Sequence, residues 1–277
     1  MDVSYTPQSE PECVERSYYW KTAIGLQQVD ELTPSNYLIE TSNANIAGKI
    51  SLAEADRLIT EYYEQNPAVT QDEKRQEEAD KVSLRIAEIL SEKAFTLSPV
   101  ELVAVHKRLF AGIYDFAGKI RDYNISKREW VLGGETVYYA GAYNIRETLD
   151  YDFAQEKAFC YSGLDHRAIA GHIAGFISDL WQIHAFGEGN TRSIAVFAIK
   201  YLRMFGFDAA NDTFEQHSKY FRNALVRANY NNAKLGITAT REYLDLFFGN
   251  LLFGERNGLK SRELHIDKNR AERIKND

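Results

Sequence analysis

The chain is 277 residues long, 44% hydrophobic and 13% aromatic, with 33 basic against 40 acidic side chains and a net charge of −7. That length carries one large or two modest domains with a substantial core. The acidic balance argues against a whole-surface affinity for nucleic acid or anionic lipid, while leaving room for a local basic pocket.

The opening "MDVSYTPQSEPEC" has no basic head followed by an apolar stretch, and Cys13 and Cys160 lie far apart with no CxxC pair. These features speak against a secretory leader, a disulfide framework and a zinc site. No run of about 18 uncharged apolar residues occurs, so no membrane span is expected. A cytoplasmic protein with no membrane partner and no direct nucleic-acid contact is the expectation.

All five prolines lie at or before Pro99, so helices beyond it can run without proline's missing donor and ring clash. In chain order, Trp20 to Asp30 reads as a short amphipathic segment, and "TPSNYLIETSNANIAG" as a capped or helical stretch ending at Gly48. "SLAEADRLITEYYEQNP" starts with a Ser51/Glu54 capping box and stops before Pro67. "TQDEKRQEEADK", residues 70–81, is charge-dense and reads as a helix start or a solvated linker, with the linker favoured and no chemistry assigned.

From Ser83 the helical pattern strengthens through Leu84, Ile86, Ile89 and Leu90, breaks at Ser98-Pro99, and resumes in Leu102, Val103, Val105, Leu109, Phe110 and Ile113. In "WVLGGETVYYAG", two β-favouring runs, Trp130–Leu132 and Thr136–Tyr139, flank Gly133-Gly134 and predict a small hairpin. Ile169, Ile173, Phe176, Ile177, Leu180 and Trp181 then form a helical stripe. It leads into "HAFGEGNTR" and the apolar helix "SIAVFAIKYLRMF", which Gly206 is placed to end.

The start of that helix offers unpaired N–H groups and the positive end of the helix dipole, and Gly189 lets a ligand approach the backbone. Asn190 and Thr191 are equally the residues of an ordinary helix cap. Three neighbours favour chemistry: Arg192 brings a guanidinium fork for phosphate oxygens, Glu188 a hard oxygen ligand for Mg²⁺, and His184 a proton acceptor. Together they describe a site for phosphoryl or nucleotidyl transfer. A Walker-type P-loop does not fit, since helical periodicity precedes the glycines and no lysine follows them.

"HAFGEGNTR", with the upstream "RDYNISKREWVLGGETVYY", resembles the motif HPFx(D/E)GNGRxxR and flap of Fic domain proteins over approximately Ser83 to Phe253. The resemblance implies an all-α, mainly helical Fic fold with a small β-hairpin flap, and an enzyme that transfers AMP from ATP to a hydroxyl side chain of a target protein, releasing pyrophosphate. By position, His184 would be the base, Phe186 the loop anchor and Glu188 the Mg²⁺ ligand. Gly189, Asn190 and Arg192 would bind phosphates, together with Thr191 through its N–H. Asn223, Asn229 and Tyr230 would border the nucleoside. Trp130, Val131, Leu132, Val137 and Tyr138 would form the flap that holds the target segment by strand-edge pairing.

Three positions depart from the pattern: Ala185 for proline, Thr191 for the third glycine, and Ala195 for the second arginine, which in the family helps hold the terminal phosphate of ATP. Residues 36–48 resemble the inhibitory helix (S/T)xxxE(G/N) of many Fic proteins, with Ala47 standing where its glutamate would be.

The expected division is an N-terminal helical region at 1–82, a catalytic core at 83–253 and a C-terminal tail at 254–277, read as frayed from Lys260 on. ATP and Mg²⁺ are the implied substrate and cofactor. The implied partner is a target protein, with the chain itself as one candidate target and a homo-oligomer as one candidate state. Two alternatives accompany this reading: a Fic-fold transferase using another nucleotide or phosphate donor, and a catalytically weak peptide-binding module.

Overall fold

The computed structural model describes residues 12–209 and 211–266. Expectations about most of the opening segment and the last part of the C-terminal tail, 267–277, lie outside those residues. Among the described residues the chain forms ten α-helices joined by loops and short 3-10 turns, with no β-strand. No helix there is long and apolar enough to cross a membrane.

Four helices make up the N-terminal part: α1 (Cys13–Leu26), α2 (Asn36–Ile46), α3 (Leu52–Gln65) and α4 (Gln71–Ser91). The starts of α2, α3 and α4 follow capping chemistry, each cap contributing about 1 kcal/mol. The Ser35 hydroxyl accepts the Leu38 N–H, and the Ser51 hydroxyl accepts that of Glu54. Glu54 itself turns away to Arg57, so only half of the anticipated box is present.

The charged stretch 70–81 is not a linker. Thr70 and Glu73 close a complete capping box, and the segment is the first half of α4. Its inner face continues the apolar stripe backwards through Ala79 and Val82, both fully buried. Helix α4 runs across the expected 82/83 boundary, and α1 packs on both α4 and α9, so the N-terminal helices and the core form one body. At the crossing of α1 and α9 a Cβ on Gly25 would sit 2.4 Å from the Glu215 Cα, so only glycine permits that approach.

The second part comprises α5 (Pro99–Phe110), α6 (Ile145–Ala158), α7 (His166–Ile183), α8 (Asn190–Met204), α9 (Thr213–Ala228) and α10 (Glu242–Phe253). Ser98 caps α5, with Pro99 in its first turn. Helix α8 is central, buried from Asn190 to Leu202 and packed by α4, α5 and α7. Its one lysine, Lys200, is tolerated because its ammonium donates to the carbonyls of Ile89 and Glu92 at the end of α4.

The expected hairpin is not formed. Residues Trp130–Leu132 make a 3-10 turn, Gly133 and Gly134 follow at φ 58° and 88°, and Glu129 closes the loop by bonding Glu135 and Gly134. The reason is burial: Val131 and Leu132 are adjacent and both fully buried, whereas a strand sends neighbours to opposite faces. Val137 is buried as well, so Val131, Leu132 and Val137 anchor the loop, and of the five expected flap residues only Trp130 and Tyr138 are exposed.

The glycine pair was legible as a turn; the strands around it were not. The tail is not frayed up to Ile266, whose N–H bonds the Val131 carbonyl, and Leu264 and Ile266 are buried.

Candidate active site

The 184–192 loop joins two buried helices, and its own side chains hold it closed. Asn190 accepts the Phe186 N–H on its amide oxygen and donates its amide nitrogen to the Phe186 carbonyl. Phe186 stacks at 3.8 Å on His106, whose Nδ1 accepts the Gly118 N–H while Nε2 lies 3.0 Å from the Glu188 carbonyl. That assignment makes His106 a neutral donor to the loop, and burial lowers its pKa to about 4. Gly189 has φ 74°, and a Cβ there would meet the Phe110 ring at 2.3 Å. Thr191 turns its hydroxyl to the Trp181 indole N–H, tying α8 to α7.

His184 caps α7 in the left-handed region, φ 51° and ψ 59°, a conformation costing about 1–2 kcal/mol for a residue with a Cβ. Its Nδ1 lies 3.3 Å from the Trp181 carbonyl, which fixes that nitrogen as the N–H. Nε2 is therefore the nitrogen with a free lone pair, and it is buried without a partner. Burial first, then Lys127, Arg121 and Arg222, push the His184 pKa well below the ordinary histidine range against the opposing Trp181 carbonyl. At neutral pH the imidazole is an uncharged base. Tyr139 covers it, ring centroids 4.2 Å apart.

A cavity of about 740 Å³ opens beside the loop, lined by Glu188, Arg192 and Asn223 among others. Glu188 extends into it and pairs with Lys127 at 2.7 Å. Asn223 is buried with its amide nitrogen unpartnered. Asn229 and Tyr230 are not in the lining: the Asn229 amide bonds Ser178 and Leu225, and the Tyr230 hydroxyl accepts from Asn232. Of the three nucleoside candidates, only Asn223 faces the cavity. A second cavity, about 660 Å³, lies at the far end of α8 around Lys200 and Arg203 and contains none of the predicted residues.

Arg192 is 1% exposed and charge-paired, although its Nε makes no hydrogen bond among the described residues. Its Nε lies 2.8 Å from Asp30, its Nη2 2.6 Å from Glu78, and its Nη1 donates to Gln27, with the Phe110 ring beneath it. None of the polar partners, Asp30, Glu78 and Gln27, was read as a site residue in the sequence, and Phe110 only as part of an apolar helical face. Glu78 was detectable in principle, because extending the inward stripe of α4 back from Val82 places it on the same face. Ala47, by contrast, is exposed at the end of α2, which packs on α1 and α3. The N-terminal carboxylates at Arg192 come from Asp30 and α4, not from residues 36–48. Position 195 is a fully buried alanine.

The 122–140 loop carries its own polar fastening. Glu129, 1% exposed, takes both Arg222 guanidinium nitrogens, which joins the loop to α9. Arg121, 4% exposed, donates to four carbonyls and to no carboxylate among the described residues.

Residues 96–202 match the family model described as Fic/DOC family. The protein adenylyltransferase VbhT of Bartonella schoenbuchensis is 26% identical over 164 residues, 59% of this chain and 33% of that protein. The chain thus spans about a third of that relative's length. The N-terminal FIC domain of Bep8, a VirB-translocated effector of Bartonella sp. 1-1C, superposes with a TM-score of 0.51 at 16% identity, covering 68% of this chain and 88% of that one. That likeness concerns the fold.

Proposed function

We propose, from the match of residues 96–202 to the Fic/DOC family model, that the chain transfers AMP from ATP to a hydroxyl side chain of a target protein. The observation that carries the reading is His184: a neutral imidazole with Nδ1 committed to Trp181 and Nε2 unpartnered, next to the start of α8. Nε2 takes the proton of the target hydroxyl, the oxygen attacks the α-phosphorus in line, the bond to the β-phosphate breaks and pyrophosphate leaves. The N–H groups opening α8 and the dipole behind them favour the phosphates, and the buried, unpaired Asn223 amide is a donor for the nucleoside.

Glu188 would hold Mg²⁺. One carboxylate plus substrate phosphates is an ordinary set for that ion, and among the described residues no cluster of three acidic, histidine or cysteine side chains offers an all-protein cage. When bound, the ion neutralises phosphate charge.

A second reading, transfer from another nucleotide or phosphate donor, is favoured by one observation. The second motif arginine is a buried alanine and Arg192 is paired with two carboxylates, so neither motif arginine position offers a triphosphate an unpaired guanidinium.

The test is a transfer assay with α-labelled nucleotides and Mg²⁺, with His184→Ala alongside. Label from ATP on protein, reduced about 10²- to 10⁴-fold in the variant, is expected for loss of a general base. Label from a different nucleotide alone selects the second reading, and label that survives His184→Ala removes the assigned base.

A further inference from the structure

Three cations surround His184, and two of them are balanced. Lys127 pairs with Glu188 and Arg222 with Glu129. Arg121 is buried and has no carboxylate partner among the described residues; every donor it uses there ends on a backbone carbonyl. Its Nε donates to His184 at 2.7 Å, Nη1 to Tyr123 at 2.6 Å, and Nη2 to Ala140 at 2.6 Å and Ile183 at 3.3 Å. Its own N–H bonds the Ala185 carbonyl at 3.0 Å.

These acceptors belong to three segments. Ile183 and His184 end α7, where the last carbonyls have no intrahelical donor and a cation is favoured. Tyr123 and Ala140 stand at the two ends of the loop whose Tyr139 lies over the imidazole.

We propose that Arg121 is the positioning residue of this site: its guanidinium holds the backbone of His184 in the left-handed conformation and ties both ends of the covering loop to it. The planar fork makes this an arginine's task, since its donors point to separate segments from one rigid plane, whereas a lysine offers three donors from a single atom. The side chain touches no substrate in this role. It sets where Nε2 stands and what covers it. Because it is the cation near His184 without a counter-ion, it also disfavours the imidazolium there, in line with the depressed His184 pKa.

The kinetic part of the test rests on the transferase reading; the other two parts do not. Arg121→Lys and Arg121→Gln are made in the full chain and followed by amide hydrogen exchange, by NMR titration of the His184 imidazole, and by the transfer assay. In Arg121→Lys, exchange over 122–141 and 181–187 rises by about tenfold or more while α1–α4 keep wild-type protection, as expected for a local opening. The imidazole titration stays low because the ring stays covered and the charge remains. In Arg121→Gln the same segments open and the titration moves up only part of the way, since burial and Lys127 each hold it down more than Arg121 does. Transfer by Arg121→Lys falls by about 10²-fold in kcat with little change in nucleotide KM, as expected for misplacement of a base rather than loss of binding.

Wild-type exchange in both segments of Arg121→Lys overturns the proposal, and so does faster exchange spread evenly over the chain. If the wild-type protein transfers no nucleotide, the transferase reading fails, and the exchange and titration still decide the role of Arg121.

Discussion

Two buried guanidinium groups flank the 184–192 loop, and their surroundings differ in kind. On the α8 side, Arg192 meets Asp30 and Glu78, so its charge is neutralised by side chains from distant parts of the sequence. On the α7 side, Arg121 meets only carbonyls, so its charge is solvated by dipoles and remains uncompensated. The first arrangement draws the N-terminal helices onto the start of α8. The second shapes the base and its cover. One region can change its charge state by exchanging partners, carboxylate for phosphate; the other has no such exchange available, because backbone carbonyls move only with the fold.

The largest effect should come from removing the charge balance at Arg192. Asp30→Asn with Glu78→Gln keeps shape and leaves a buried cation alone, a change costing about 3–5 kcal/mol in comparable buried pairs. Denaturant unfolding measures it. The same variant should regain part of that loss on adding a nucleotide, because a ligand that binds only the folded state stabilises it by mass action. Unchanged stability would mean that the two carboxylates do not balance Arg192, and the contrast with Arg121 would collapse.

A smaller and pH-dependent effect belongs to His106, which supports the loop from the Arg192 side. Its folded pKa is about 4 against an ordinary 6.5, so below pH 6.5 the unfolded chain binds a proton that the folded chain refuses. Its contribution to stability is therefore full above pH 6.5 and declines as pH falls towards 4, by about 3 kcal/mol over that span. Glu88 works in the opposite sense. Burial first, then Asp56, raise its carboxyl pKa to about 7, so its contribution grows as pH falls from 7 towards its ordinary 4.5. The difference between wild type and His106→Gln as a function of pH isolates the histidine. A flat difference between pH 4 and 6.5 would show that the ring is not buried as a neutral donor.

What was legible in the sequence follows the range of the interactions involved. The Ser51 cap, the break at Ser98-Pro99, the stripe from Ile169 to Trp181 and the all-round apolar α8 are written within a few residues of one another, and each appears where expected. The hairpin failed because β-propensity reports a fit to a half-buried pleated surface, and Val131 and Leu132 are needed side by side in the core. Charge density in 70–81 suggested solvent, yet Glu78 faces inward because a guanidinium is waiting there. Asn229 and Tyr230 share helix-end polarity with Asn223, and only the tertiary packing of α9 on α7 separates the residue lining the cavity from those bonded elsewhere. Arg121 carried no local signal at all, since its partners are carbonyls, which every residue possesses.

The smallest effect concerns Ala47, and it tests whether the segment 36–48 reaches the Arg192 side. Ala47 is exposed at the end of α2, and the neighbouring Gly48 lies close to the Arg16 guanidinium on α1 rather than to α8. A glutamate there would meet Arg16, and the position that could answer it in the motif is the buried Ala195. Ala47→Glu should leave stability within about 0.5 kcal/mol, the usual range for a surface substitution, even with the mild penalty of a negative charge at a helix C-terminus. Transfer activity should stay within about twofold of wild type, because neither arginine beside the loop is within the segment's contacts. A large fall in target modification would mean that α2 acts on the cradle through the α1–α4 packing, and the carboxylates at Arg192 would then be the second half of a longer connection.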